Sequence, residues 1–244
     1  MSLIKIENAS MGYDGKTVVS DISFNIEEGD YVCIVGENGS GKTTLMRTLL
    51  GLINPLEGKV VYSDGLQQNE IGYLPQQTVF QKDFPASVSE VVLSGCLNKK
   101  KTFFYSKQQK EIAYKNMKLT GIFNLRKKCF RELSGGQQQR VMLSRALCAT
   151  HKLIILDEPV TGLDPVASAD MYKLIKNLNE NGITIIMVSH DVTAAVNNAS
   201  KILHLSKNKY FFGSAHQYLH SELGKRFLIT NCPCDDCHRR VGGT

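Results

Sequence analysis

No stretch of this 244-residue sequence approaches the ~18 consecutive apolar residues that a membrane-spanning helix needs; even "YVCIV", "LIIL" and "ITIIMV" are far shorter. The start, "MSLIKIENAS", lacks a basic region followed by a long apolar one, so no secretory signal is read and a soluble cytoplasmic chain is expected. Internal repeats, low-complexity linkers and sustained heptads are also missing, which excludes a repeat array or a long coiled-coil arm. The seven cysteines are an odd number, and Cys33, Cys96, Cys129 and Cys148 stand singly in apolar or mixed surroundings. They read as thiols of a reducing compartment, not as a disulfide framework.

What is present suffices for one sizeable α/β core with room for an inserted subdomain, since 42% of the 244 residues are hydrophobic. The net charge of +6 is unevenly spread: between Val91 and Arg131 eleven Lys and Arg stand against one acid, Glu111, so the remainder of the chain is four charges negative. A surplus that local faces something anionic, such as nucleic acid or phospholipid headgroups, or it is a solvated helical surface.

"LIKIENASMGY" and "KTVVSDISFNIEEGD" read as strands with turns at Asp14-Gly15 and Glu28-Gly29. "YVCIV" is a short continuous apolar run ending at Gly36, the pattern of a strand buried on both faces. A Gly-rich turn and the helical "TTLMRTLLGL" follow, then the strand candidates "GKVVYS" and "EIGYLPQ". From about Thr78 to Leu147 strand signals nearly vanish, and "SVSEVVLSG", "SKQQKEIAYKNMKLTGI" and "SGGQQQRVMLSRALC" favour helix. Strands return with "KLIILDEP" and "GITIIMVSH", separated by a helix whose Met171, Leu174, Ile175 and Leu178 share a face. The pattern closes with "KILHLS" and "KYFFGS". It describes a parallel α/β core interrupted by a helical insert.

Residues 36–43, "GENGSGKT", fit G-x-x-x-x-G-K-[ST] between a predicted strand and a predicted helix, the context this phosphate-binding loop requires. Gly36, Gly39 and Gly41 let backbone amides curl round a phosphate, with Glu37, Asn38 and Ser40 filling the turn. Lys42 would place its charge on the β- and γ-phosphates, the Thr43 hydroxyl would ligate Mg²⁺, and Thr44 lies in the helix whose positive dipole end faces the anion. "LIILDEP" is an apolar strand ending in two carboxylates: Asp157 suits Mg²⁺, through water, and Glu158 is free to take a proton from an attacking water. In "MVSHD" a second core strand ends at His190, placed to hydrogen-bond the γ-phosphate. Gln76 in "YLPQQ" closes a strand where its amide reaches Mg²⁺ or the nucleophilic water, and Tyr13 in "GYDG" is an aromatic face for adenine.

A second helix start suited to phosphate lies in "RELSGGQQQR". Ser134, Gly135, Gly136 and Gln137 offer a hydroxyl and free amides to an oxyanion, although residues 36–43 already wrap one nucleotide. The expectation is that this anion belongs to another copy of the chain, with ATP held between two protomers in an isologous dimer.

In this order the elements resemble the nucleotide-binding subunits of ABC transporters, over essentially residues 1–220. The resemblance makes "GENGSGKT" the Walker A loop, Gln76 the Q-loop, "LSGGQ" the signature, "LIILDEP" Walker B, "TGLDP" the D-loop with Asp164 at the dimer seam, and His190 the switch histidine. It implies a P-loop NTPase core with a parallel sheet, an N-terminal antiparallel β subdomain and an inserted α-helical subdomain at about residues 78–147. It further implies an ATPase using ATP and Mg²⁺, dimeric when ATP is bound, peripheral on the cytoplasmic face of the membrane. Its partners would be separate transmembrane permease subunits and an extracytoplasmic substrate-binding protein. "FQKDFPASVSEVVLSG" is similar to the corresponding stretch of zinc and manganese uptake ATPases.

The alternative is a soluble relative acting on nucleic acid, ribosomes or iron–sulfur cluster assembly. DNA-repair relatives carry very long coiled coils between Walker A and the signature, whereas about 90 residues separate Lys42 from Leu133 here. Ribosome-acting relatives usually carry two cassettes, so no nucleic-acid partner is expected, while an iron–sulfur assembly role stays open. The tail 221–244 holds Cys232, Cys234, Cys237 and His238 within seven residues, soft ligands able to satisfy Zn²⁺.

Overall fold

The computed structural model describes residues 2–63, 66–67, 70–76, 85–97, 104–207 and 209–227. Cys232, Cys234, Cys237 and His238 lie outside the described residues.

Strands β1 (Ser2–Tyr13) and β2 (Lys16–Glu27) pair antiparallel through the turn at Asp14-Gly15, and β4 (Glu57–Tyr62) adds to the other edge of β1. Alternation along β2 buries Ile22, Phe24 and Ile26 on one face and leaves the other to solvent. The main sheet has six strands in the order β5 (Gly72–Leu74), β6 (Leu153–Asp157), β7 (Thr184–Val188), β3 (Tyr31–Gly36), β8 (Lys201–Leu205), β9 (Tyr210–Ser214). All neighbours run parallel except β9 against β8.

Both faces of this sheet are covered, which explains the unbroken apolar runs. Val32 and Ile34 of β3 pack with α1 (Lys42–Leu49) and the three-stranded sheet, whereas Tyr31, Cys33 and Val35 face the opposite core. That second core is closed by α4 (Gly135–Ala149) and α5 (Pro165–Glu180) and runs into the helical insert.

The insert contains α2 (Val88–Ser94), α3 (Lys107–Leu119) and 3₁₀ turns at Phe123–Leu125 and Phe130–Glu132. Capping boxes at Ser87/Glu90, Ser106/Gln109 and Ser134/Gln137 start α2, α3 and α4. Helix α4 packs against α2 and α3 on one side and β5 on the other, so it is the shared wall between insert and core.

After β7 come α6 (Val192–Asn198) and, beyond β9, α7 (Ala215–His220) and α8 (Glu222–Phe227). All three go beyond the sequence reading, and α8 falls inside the stretch expected to be tail. At six or seven residues each they are too short to show a helical period. The signal that was there is Ser214 with Gln217 three residues on, which forms the capping box of α7.

Candidate functional site

Register brings the chemistry together. Four neighbouring parallel strands, β5, β6, β7 and β3, end at one edge, with Leu74 paired to Leu156, Asp157 to Val188 and Val188 to Ile34. Gln76, Asp157-Glu158, His190 and the loop after Gly36 therefore emerge side by side at the carboxyl ends, where open α/β sheets bind ligands. They line one cavity of about 250 Å³ together with Asn38, Gly39, Gly41, Lys42, Thr43 and Thr44.

The loop geometry demands its glycines. Gly36 has φ 144°, and a Cβ there would stand 2.1 Å from the Leu205 carbonyl oxygen. Gly41 has φ 95°, and its Cβ would meet Val19 Cγ2 at 2.2 Å. Gly36→Ala should thus cost about 2–4 kcal/mol of stability, from strain and overlap combined, read as a lowered urea midpoint with an unchanged m-value.

Gly41 caps α1 without a side-chain hydrogen bond, so the amides of the first turn remain open to an anion. Lys42 Nζ donates to the Gly36 and Glu37 carbonyls at 2.7 and 2.8 Å. Burial lowers its pKa, opposed by the carboxylates of Glu158 and Asp157. Ser40 Oγ is buried without a hydrogen-bond partner among the described residues. An orphaned hydroxyl beside open amides and a lysine is a set of groups that a polyphosphate completes.

Asp157 ends β6 half-buried. Burial raises its pKa first and the Glu158 charge second, against a hydrogen bond from the Gln76 backbone and the nearby His190 and Arg47. Two adjacent carboxylates in partial burial fit a site for a hard cation such as Mg²⁺. Glu158 sits at φ 49°, in the left-handed region, with its N–H donating to the Val188 carbonyl at 3.1 Å. For a non-glycine residue that costs on the order of 1–3 kcal/mol. Its carboxylate, 11% exposed, accepts from Gln76 Nε2 at 2.8 Å and from the Thr161 hydroxyl at 3.1 Å, and pairs with His190 Nε2.

Of the expected site residues, Gly36, Glu37 and Ser40 belong to the loop without lining this cavity, and Tyr13, Ser134, Gly135, Gly136, Gln137 and Asp164 stand outside it. Tyr13 is 38% exposed and its hydroxyl accepts from Arg47 Nη1 at 3.2 Å, with the guanidinium 5.9 Å from the ring centroid. Ser134 and Gln137 satisfy each other in the α4 capping box, and Asp164 caps α5 by accepting from the Ala167 amide. The Ser134 turn and the Asp164 turn adjoin: Cβ atoms built on Gly135 and Gly136 would meet Leu163 at 3.6 Å and Ala167 at 3.2 Å. A buried bond from Gln139 Nε2 to the Pro159 carbonyl, 2.9 Å, ties α4 to the loop that carries Glu158.

Sequence reasoning missed Thr161, Arg47 and the cavity-lining Val18 and Val188. Thr161 lies three residues past Glu158 in the same turn, a spacing at which a hydroxyl can bond back. Nothing in the sequence pattern singles out the other three.

A glycine loop between strand and helix, with carboxylates on the adjoining strand end, defines a P-loop nucleoside triphosphatase. Residues 19–161 match the ABC transporter family model, and the chain belongs to that family as its ATP-binding subunit, an ATPase whose hydrolysis is coupled to transport. It is 35% identical over 227 residues to the zinc uptake system ATP-binding protein ZurA of Listeria innocua, covering 89% of this chain and 88% of that protein. It is 36% identical over 216 residues to the manganese transport system ATP-binding protein MntB of Bacillus subtilis, covering 86% of each. It also superposes on a solved inward-facing ABC transporter assigned to the metal-chelate type, with a TM-score of 0.83 and 29% identity over 94% of this chain and 90% of that one. Subunits of this kind work with permease partners. Among the described residues no helix is long and apolar enough to cross a membrane.

Proposed function

We propose that this chain energises an importer for zinc or manganese ions. The observation that carries the energising part is the single cavity where Lys42, Asp157, Glu158, Gln76 and His190 converge. The cargo rests on the two relatives, which are named for zinc uptake and manganese transport. Reconstitution with the permease in liposomes tests it: zinc or manganese should stimulate ATP turnover, and a complex stimulated by neither has another cargo.

In this reading the amides of residues 36–44 and the Lys42 ammonium hold the triphosphate, with Tyr13 against adenine. Thr43, Gln76 and Asp157 would hold Mg²⁺, which supplies charge neutralisation at the β- and γ-oxygens. Glu158 accepts the proton of the attacking water, Gln76 orients that water, and His190 donates to the γ-phosphate. Lys42→Met removes charge-assisted bonds of about 1.5–3 kcal/mol, so the Kd for ATP should rise roughly 10- to 100-fold in equilibrium dialysis.

Because Ser134–Gln137 and Asp164 stand outside their own chain's cavity yet adjoin one another, we assign them to the nucleotide of a second copy. ATP then closes a homodimer over two composite sites, and hydrolysis releases it. The unit 1–220 would work with membrane-spanning permease chains and an extracytoplasmic binding protein, peripheral on the cytoplasmic face. Its helical insert, about residues 78–147, would dock the permease, and the insert's Lys107, Lys110, Lys115, Lys118, Arg126, Lys127 and Lys128 would face anionic lipid headgroups. In the tail, Cys232, Cys234, Cys237 and His238 are assigned as Zn²⁺ ligands. Zinc should then protect these thiols from alkylation, and unchanged reactivity removes that assignment.

A further inference from the structure

Helix α7 is anchored from both ends and from beneath. The Ser214/Gln217 capping box fixes its start, while the Ser221 hydroxyl donates to the Tyr218 carbonyl at 2.7 Å and accepts from the Gly224 amide at 2.9 Å. Tyr218 points inward, fully buried, with its hydroxyl 2.7 Å from His204 Nδ1 on β8. At 100° per residue, His216 and His220 lie about 160° to either side of Tyr218, so the anchor turns both imidazoles outward. Both are exposed, and their rings meet at a centroid distance of 4.7 Å. Among the described residues neither imidazole has a hydrogen-bond or ion-pair partner.

We propose that His216 and His220 form a bidentate site for one divalent transition-metal ion of the zinc, nickel or copper class. Imidazole nitrogens prefer such ions, and two ligands one helical turn apart share a face. Nitrogens at ~2.1 Å from a common ion, with an angle between right and tetrahedral, put the ring centroids about 5 Å apart. The observed separation already matches, so binding needs no rearrangement of the backbone. Among the described residues no group of three or more His, Cys, Asp and Glu side chains could hold a metal. No described side chain fills the remaining positions, which water would then take. Neither imidazole lines the nucleotide cavity.

The test is calorimetric titration with Zn²⁺ of the full chain in which Cys232, Cys234 and Cys237 are Ser and His238 is Gln, compared with the same chain carrying His216→Gln or His220→Gln. Loss of one ligand turns chelation into single-point attachment, so each substitution should weaken one site per chain by more than tenfold. Both positions face solvent, so both variants should fold, with unchanged ATP binding as the control. Equal titrations in all three chains, or a loss confined to one variant, overturn the proposal.

Discussion

Glu158→Gln should leave ATP binding intact, reduce turnover by about 10²–10⁴, and accumulate a stable dimer under saturating ATP. The change keeps the volume of the side chain but removes its capacity to take a proton. Its surroundings explain why binding should survive: the loop and Lys42 are the groups assigned to the phosphate, while Glu158 is held from the other side by Gln76, Thr161 and His190. A glutamine oxygen still accepts from Gln76 Nε2 and Thr161, so the loop keeps its shape. The left-handed backbone at residue 158 aims the carboxylate, a strain that persists in the variant because the amide–Val188 bond is untouched. Phosphate release and light scattering check the two halves. A monomer under saturating ATP counts against the shared nucleotide, and near-normal turnover counts against Glu158 as the base.

How the site could be read from the sequence follows from the range of the interactions. The phosphate loop was legible because strand, glycines and helix start are contiguous, and each glycine answers a contact or a dihedral within that stretch or its immediate packing. The carboxylates after β6 were legible because an apolar strand that stops on acids exposes them at its end. Strand order was not, since β3 lies between β7 and β8, elements about 150–170 residues later in the chain. That order, not any local motif, brings His190 and Gln76 onto opposite sides of Glu158. The Glu158 backbone and the Thr161 hydroxyl were also invisible, because they are features of how a turn closes, not of its composition. Lys42 illustrates the same limit: the motif names its ligand, but its bonds to the Gly36 and Glu37 carbonyls belong to the folded loop. Helices α6, α7 and α8 were missed because six or seven residues hold less than two turns.

One bond ties the helix that carries the surface assigned to the second copy to the chemistry in the cavity, and another ties two of the cavity's own strand ends. Gln139 of α4 holds the Pro159 carbonyl, one residue past Glu158, and the Ser189 amide beside His190 holds the Ile34 carbonyl just before the phosphate loop. The Gln139 bond thus joins the helix that Ser134 caps to the loop that carries Glu158.

Ser134→Arg separates the two jobs of this surface. Ser134 does not line its own chain's cavity, so ATP affinity of a single chain should change by less than about twofold, while turnover falls to the level of an isolated protomer. Two effects of the substitution must be distinguished. Losing the N-cap costs about 0.5–2 kcal/mol, which Ser134→Ala shares. The long guanidinium adds bulk at the seam, which Ala does not. The expected order of turnover is therefore wild type above Ser134→Ala above Ser134→Arg, with the two variants equal in melting temperature to within a few degrees. Only Ser134→Arg should fail to dimerise in the Glu158→Gln background with ATP. Hydrolysis at wild-type rates by Ser134→Arg would mean that one chain completes its own nucleotide site, and the pairing of copies would then have to serve some other end.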